Sequence, residues 1–170
     1  MGLSKGRILR YVLYGVEILL TWIVQETPYC LPEVFGGKAV LLIPLALSFA
    51  VFEKEIPAMV SAVVCGLLTD CSYSGPIGFY VIGLVIACFA VSTAYQGYIR
   101  RSMLTVMLMA GIVIPVLLTM QFLFYYVFAG YADSGYMFLK HYVSRILYTF
   151  AMMPVYYSIN QTLLVRKGQR

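Results

Sequence analysis

The side chains that could do chemistry are few and scattered. Glu17 is the one carboxylate well inside an apolar run, Asp70 closes another, and Arg145 is the most embedded base. The only histidine is His141. Metal-assisted hydrolysis, phosphoryl transfer and acyl transfer need recognisable sets: HExxH, a glycine-rich phosphate loop, paired aspartates, or G-x-S-x-G with a base in reach. None occurs in the chain, and Ser48 and Ser61 have no evident base. Cys30, Cys65, Cys71 and Cys88 form no CxxC pair, so they are read as small packing residues rather than a metal or redox site. A proton relay or pump uses several intramembrane acids, and this chain offers one. The expectation is a protein with no catalytic residue, no cofactor and no metal, acting through binding.

The elements that must carry these residues are apolar. Of 170 residues, 62% are hydrophobic and 11% charged, with a mean hydropathy of +0.87. A soluble domain carries about 25% charged residues. The composition excludes a soluble globular domain, a disordered chain and a disulfide-stapled module. It predicts an all-α, polytopic helical bundle in a lipid bilayer. At about 20 residues per span there is room for about six spans and none for a separate catalytic or nucleic-acid-binding domain. One domain, 1–170, is expected, with spans near 8–24, 39–52, 56–69, 77–99, 103–129 and 142–165. No cleavage site follows the basic N-terminus, so the first apolar segment reads as a retained span. The second and third segments have only 14 residues each between charged borders. They must borrow flanking residues, thin the membrane or form a re-entrant pair.

The positive-inside rule sets the orientation. With both termini cytoplasmic, nine of the 12 basic residues fall inside: Lys5, Arg7, Arg10, Lys54, Arg100, Arg101, Arg166, Lys167 and Arg170. Lys38, Lys140 and Arg145 fall toward the outside. Tyrosines and phenylalanines cluster near both borders, including Tyr11, Tyr14, Tyr95 and Tyr98 inside and the 124–142 segment outside, as interfacial belts do and as aromatics that simply pack would also do.

Span three divides its apolar content by size. Ala58, Ser61, Ala62, Cys65, Gly66, Thr69 and Asp70 follow i, i+3, i+4 steps, while Met59, Val60, Val63, Val64, Leu67 and Leu68 fill the other face. Small residues let membrane helices approach closely, so this face should press on a neighbour. Ala58, Ala62, Gly66 and Asp70 form one row. Asp70 then either caps the following turn or anchors a basic residue of the bundle or a partner. Gly83, Ala87, Ala90 and Ala94 make a second small stripe on span four, which predicts a tight hairpin of spans three and four. Pro115 and Pro154 should kink spans five and six. Glu17, near mid-depth, is either hydrogen-bonded and structural or a contact for a ligand or partner. Arg145 has Asp70 or Glu26 as its expected partners by depth.

The stretch 58–83, with Gly66-Leu67-Leu68-Thr69-Asp70, a Ser/Gly/Pro turn and then Ile77-Gly78-Phe79, resembles the G-[LF]-L-x-D pattern of the rod shape-determining MreD family. Length, polytopic layout and the short second apolar run before Glu53-Lys54-Glu55 are also similar. Leading into span two, where the family often has a proline and a polar residue, this chain has Gly36, Gly37 and Lys38. The resemblance implies a non-enzymatic scaffold of the bacterial plasma membrane. It would bind an MreC-like bitopic protein and help couple MreB to RodA and a class B penicillin-binding protein during peptidoglycan synthesis. Gly66, Asp70 and Gly78 are the carried-over motif positions. A competing likeness in hydropathy, and in fold, is to the vitamin-binding S components of energy-coupling-factor transporters. Those use an alanine-x-x-x-alanine surface on the first span, and residues 8–24 here contain no alanine.

Overall fold

The structure, a computed structural model, describes residues 5–27, 38–72, 78–97, 101–124 and 142–165. Glu33, Asp133, Lys140, His141, Cys30, Pro76 and the last five residues therefore lie outside the described residues. Those described form helices and no strands. In chain order these are α1 (Lys5–Glu26), α2 (Leu42–Phe52), α3 (Glu55–Ser72), α4 (Phe79–Gly97), α5 (Met103–Phe122), α6 (Val143–Ala151) and α7 (Met153–Val165). Helices α3, α4 and α5 are long and apolar enough to cross a membrane.

One expectation needs correction. Residues 142–165 are not one kinked helix: they break at Met152 into α6 and α7, with Pro154 in the first turn of α7. Proline has no N–H to give and is readily accepted there. The third segment takes the first of its three expected routes and borrows flanking residues: helix α3 takes in Glu55 at one end and Asp70 to Ser72 at the other, giving 18 residues, or about 27 Å of length.

Helix α2 lies at the centre. It has 11 residues, about 16 Å, and every residue from Leu42 to Val51 is buried. A helix apolar all round must be enclosed, and here the enclosure is protein: α1, α3, α4, α5, α6 and α7 all pack on it. Its shortness needs no thinning of a bilayer, because α2 does not face one. The non-helical residues before it, Ala39 and Val40, are also buried. Unwound backbone is tolerated in such a place only when its amides find partners. Val40 N–H donates to Thr149 Oγ1 of α6 at 3.1 Å, and Leu42 N–H to Gln25 Oε1 of α1 at 3.4 Å.

Helices α1 to α5 alternate in direction, and α6 and α7 run on in one direction from the Phe122 end toward the Arg101 end. One end of the bundle gathers Arg10, Glu53, Ser92 and Arg101: Arg10 pairs with Glu53 at 3.1 Å, Ser92 Oγ donates to the Glu53 carbonyl at 3.0 Å, and Tyr157 Oη reaches the Arg101 carbonyl at 3.5 Å. The other end gathers Trp22, Ser72, Asp70, Gly78 and Gln121. There Trp22 Nε1 donates to Ser72 Oγ at 3.3 Å, and Tyr80 Oη donates to Gln121 Oε1.

Polarity is arranged inside out. Thr21, Ser48, Glu53, Thr69, Asp70, Ser92, Gln121, Thr149 and Asn160 are buried. Exposed instead are Val12, Leu19, Leu20 and Ile23 of α1, Val60 and Leu67 of α3, Ile82 and Ile86 of α4, and Leu104, Leu108 and Ile112 of α5. Water would penalise this pattern, and lipid favours it.

Candidate helix-packing and docking site

The small row of α3 lies against α4. Ala58, Ala62 and Cys65 are wholly buried, whereas Val60, Val63, Val64 and Leu67 point outward. Gly66 marks the closest approach. A Cβ there would lie 2.6 Å from Val81 Cα and 2.8 Å from Val81 N, both backbone atoms that cannot swing aside. One turn later the same row ends at Asp70, only 4% exposed.

Asp70 caps α4. Its Oδ2 accepts from Gly78 N–H at 2.9 Å and Val81 N–H at 3.4 Å, and its Oδ1 accepts from Tyr80 N–H at 3.1 Å. The first amides of a helix have no partner within it, and the positive end of the helix dipole favours an anion. Asp70 satisfies both needs from across the hairpin. Gly78 enters α4 at φ +110°, a conformation that side chains with a Cβ resist. The three motif positions thus form one device. Gly66 lets α4 come close, Gly78 turns the chain, and Asp70 receives the amides this presents.

The sequence left Asp70 open between cap and anchor; the geometry is that of a cap. Arg145, proposed to meet Asp70 or Glu26, lies instead with its guanidinium over the Tyr142 ring, 5.9 Å from its centroid.

The second small stripe faces elsewhere than expected. The hairpin forms, but Gly83, Ala87 and Ala90 turn from α3 toward α5. There the two helices leave a laterally open groove of about 540 Å³. Ile82, Ile86 and Phe79 of α4 line it, facing Ile112, Val116 and Met120 of α5, with Phe124 just beyond. Among the described residues no polar side chain lines it. At Gly83 a Cβ would come within 2.8 Å of Leu117 Cδ2, the flexible end of a side chain. The small residues of α4 therefore hollow the wall of a groove.

Glu17 is half-buried on α1 and meets α7. Asn160 Nδ2 donates to Glu17 Oε1 at 3.3 Å, to Ser48 Oγ at 3.1 Å and to the Tyr156 carbonyl at 3.2 Å. Ser48 Oγ donates to the same carbonyl at 3.2 Å, and Tyr156 Oη to Thr21 Oγ1 at 3.4 Å. This cluster joins α1, α2 and α7 in mid-bundle.

Sequence reasoning missed two groups. Glu53 belongs to the charged run Glu53-Lys54-Glu55, yet it is 8% exposed and accepts from Arg10 Nη1 at 3.1 Å and Tyr14 Oη at 2.9 Å. The available signal was Arg10 and Tyr14 at i, i+4, one donor face on α1. Asn160, wholly buried, was also overlooked; an amide inside an apolar run is itself a sign of an interhelical bond. Of the inner aromatics, Tyr14 and Tyr95 are buried in the core, as packing residues are, while Tyr11 is exposed.

Among the described residues no cluster of histidine, cysteine or carboxylate could hold a metal ion. Comparison with protein-family models, curated proteins and solved structures finds no match to this chain.

Proposed function

We propose that this chain is a non-enzymatic, multi-pass scaffold of the bacterial plasma membrane, of the rod shape-determining MreD kind. It receives the transmembrane helix of an MreC-like bitopic protein and so helps link MreB to RodA and a class B penicillin-binding protein. The observation that carries this reading is the α4–α5 groove. It is long, laterally open and apolar in all its described lining, and its α4 wall is held by the Gly66–Asp70–Gly78 device. A single-pass helix needs such a surface: packing without side-chain chemistry. The motif that resembles the family is the same set of residues that fixes the wall.

The proposed orientation puts both termini in the cytoplasm. Arg10, Lys54 and Arg101 then share the cytoplasmic end, in keeping with the positive-inside rule.

The test is co-purification in mild detergent with the MreC-like protein. Ile112→Trp, which fills the groove from an exposed position, should abolish capture. Val12→Trp, on α1 and equally exposed, should not. Depletion should round rod-shaped cells. Normal rods accompanied by lost vitamin uptake would overturn the reading in favour of a transporter S component.

A further inference from the structure

A second groove runs between α1 and α3, with α2 behind it and a volume of about 460 Å³. Ile18 of α1 and Ile56, Val60 and Val64 of α3 form its walls, and Phe49 of α2 lies at its back. From Ile56 to Val64 the α3 wall is about 12 Å long. Gly15 stands on the α1 side. Glycine is a poor helix former, and no close approach requires it here: a Cβ would meet nothing within 4 Å. What its missing side chain supplies is the space of the groove itself.

Unlike the α4–α5 groove, this one has a polar end. Ser61, farther along, spends its hydroxyl on the Ala58 carbonyl at 2.8 Å. At the Arg10 end Glu53 lines the groove, more than nine-tenths buried. Its Oε1 takes both internal donors, Arg10 Nη1 and Tyr14 Oη. Its Oε2 accepts from no described residue, yet it is not enclosed by the chain. Arg10, 38% exposed, gives Glu53 only Nη1, and its other N–H groups have no partner among the described residues. Tyr11, exposed and lining the same end, sets its ring edgewise to Tyr14 at 6.4 Å. An open acceptor, open donors and an aromatic face thus meet at the head of an apolar slot.

We propose that the α1–α3 groove binds a phospholipid whose headgroup joins a phosphate to a primary ammonium, as in phosphatidylethanolamine. An acyl chain lies in the slot over Gly15, the ammonium donates to Glu53 Oε2 beside the Tyr11 ring, and the phosphate accepts from Arg10. Charge complementarity selects this class. Arg10 and Glu53, in contact at 3.1 Å, present opposite charges side by side, and the lipid's short ethylene link does the same. An anionic headgroup without an amine would bring a phosphate to Glu53 with no cation to balance it. A choline headgroup carries the charge but no N–H for Oε2. Polar at one end and apolar along the rest is the layout of a lipid standing in its leaflet, here the leaflet on the Arg10 side. The site is separate from the α4–α5 groove and does not rest on the scaffold reading.

The experiment places the full chain in nanodiscs of phosphatidylethanolamine, phosphatidylglycerol and phosphatidylcholine in equal parts and reads the retained lipid by native mass spectrometry. Phosphatidylethanolamine should be retained over either of the others by roughly tenfold, the worth of a hydrogen bond to a charged group. Glu53→Gln removes the negative charge and releases Arg10. Retention of phosphatidylethanolamine should then fall and that of phosphatidylglycerol rise, a reversal that a merely loosened bundle would not produce. Gly15→Leu fills the slot and should remove retained lipid of every kind. Leucine there meets no obstacle and favours the helix, so the unfolding midpoint in lipid-free detergent should not drop. That variant tests the site even if Glu53→Gln does not fold. Leu104→Trp, on the exposed face of α5, should leave retention unchanged. Overturning results are no retained lipid, equal retention of the three lipids, retention unaffected by Gly15→Leu, a preference that survives Glu53→Gln, or, in place of lipid, a second copy of this chain that Gly15→Leu displaces.

Discussion

Asp70 shows how one side chain can decide a local structure. It is held by backbone amides of α4, so its removal strands donors rather than breaking a dispensable ion pair. Asp70→Ala should cost about 1–3 kcal/mol, the range for an unsatisfied buried group or a lost helix cap. Asp70→Asn, which keeps one acceptor oxygen, should cost less. Thermal unfolding in detergent would check the order, and equal loss for both would count against a backbone cap. Gly66 is stricter, because its obstacle is backbone at 2.6 Å. Gly66→Ala should lower the unfolding temperature more than Leu67→Ala, which trims an exposed side chain on the opposite face. An equal and small effect of both would refute the close approach.

At the scale of elements, the two faces of α3 were legible in the sequence because size alternates at helical spacing, and size alone decides which face admits a neighbouring backbone. The direction of the α4 stripe was not legible. Gly83, Ala87 and Ala90 keep the same spacing whether they press on α3 or hollow a groove toward α5, and only the rotation of α4 about its axis separates the two. That rotation is fixed by Gly66 against Val81 and by Tyr80 reaching Gln121, contacts between residues far apart in the chain. Glu53 was missed for a related reason. Its neighbours Lys54 and Glu55 suggest water, while the partners that bury it come from α1. The same contacts make α2 an internal pin. Phe49 packs on Tyr14 with ring centroids 4.4 Å apart and is 1% exposed. Phe49→Ala should therefore leave a cavity and destabilise the chain by about 3 kcal/mol or more, read as an earlier unfolding midpoint. A change no larger than that of Leu104→Ala on the exposed face of α5 would speak against a central α2.

At the scale of the whole molecule, the cysteines provide an internal test of orientation. Cys71 is exposed at the Asp70 end, while Cys65 and Cys88 are buried. In a Cys30→Ser background, a membrane-impermeant thiol reagent added to intact cells should label Cys71 if that end faces outward. Labelling only after the cytoplasmic side is opened would invert the proposed topology.

The enclosure of α2 also bears on how the molecule is made. An 11-residue helix is too short to be held in a bilayer on its own merits, and a nascent chain presents its N-terminal elements first. Yet two of the bonds that seal this region come from near the C-terminus: Thr149 receives the Val40 amide, and the Tyr156 carbonyl receives the Ser48 hydroxyl. Until α6 and α7 emerge from the ribosome, the second segment has apolar surface and backbone without their proper cover. Assembly is therefore completed from the tail, and a chain ending after α5 should be recognised as unfinished and degraded even though it contains all three of the long apolar helices.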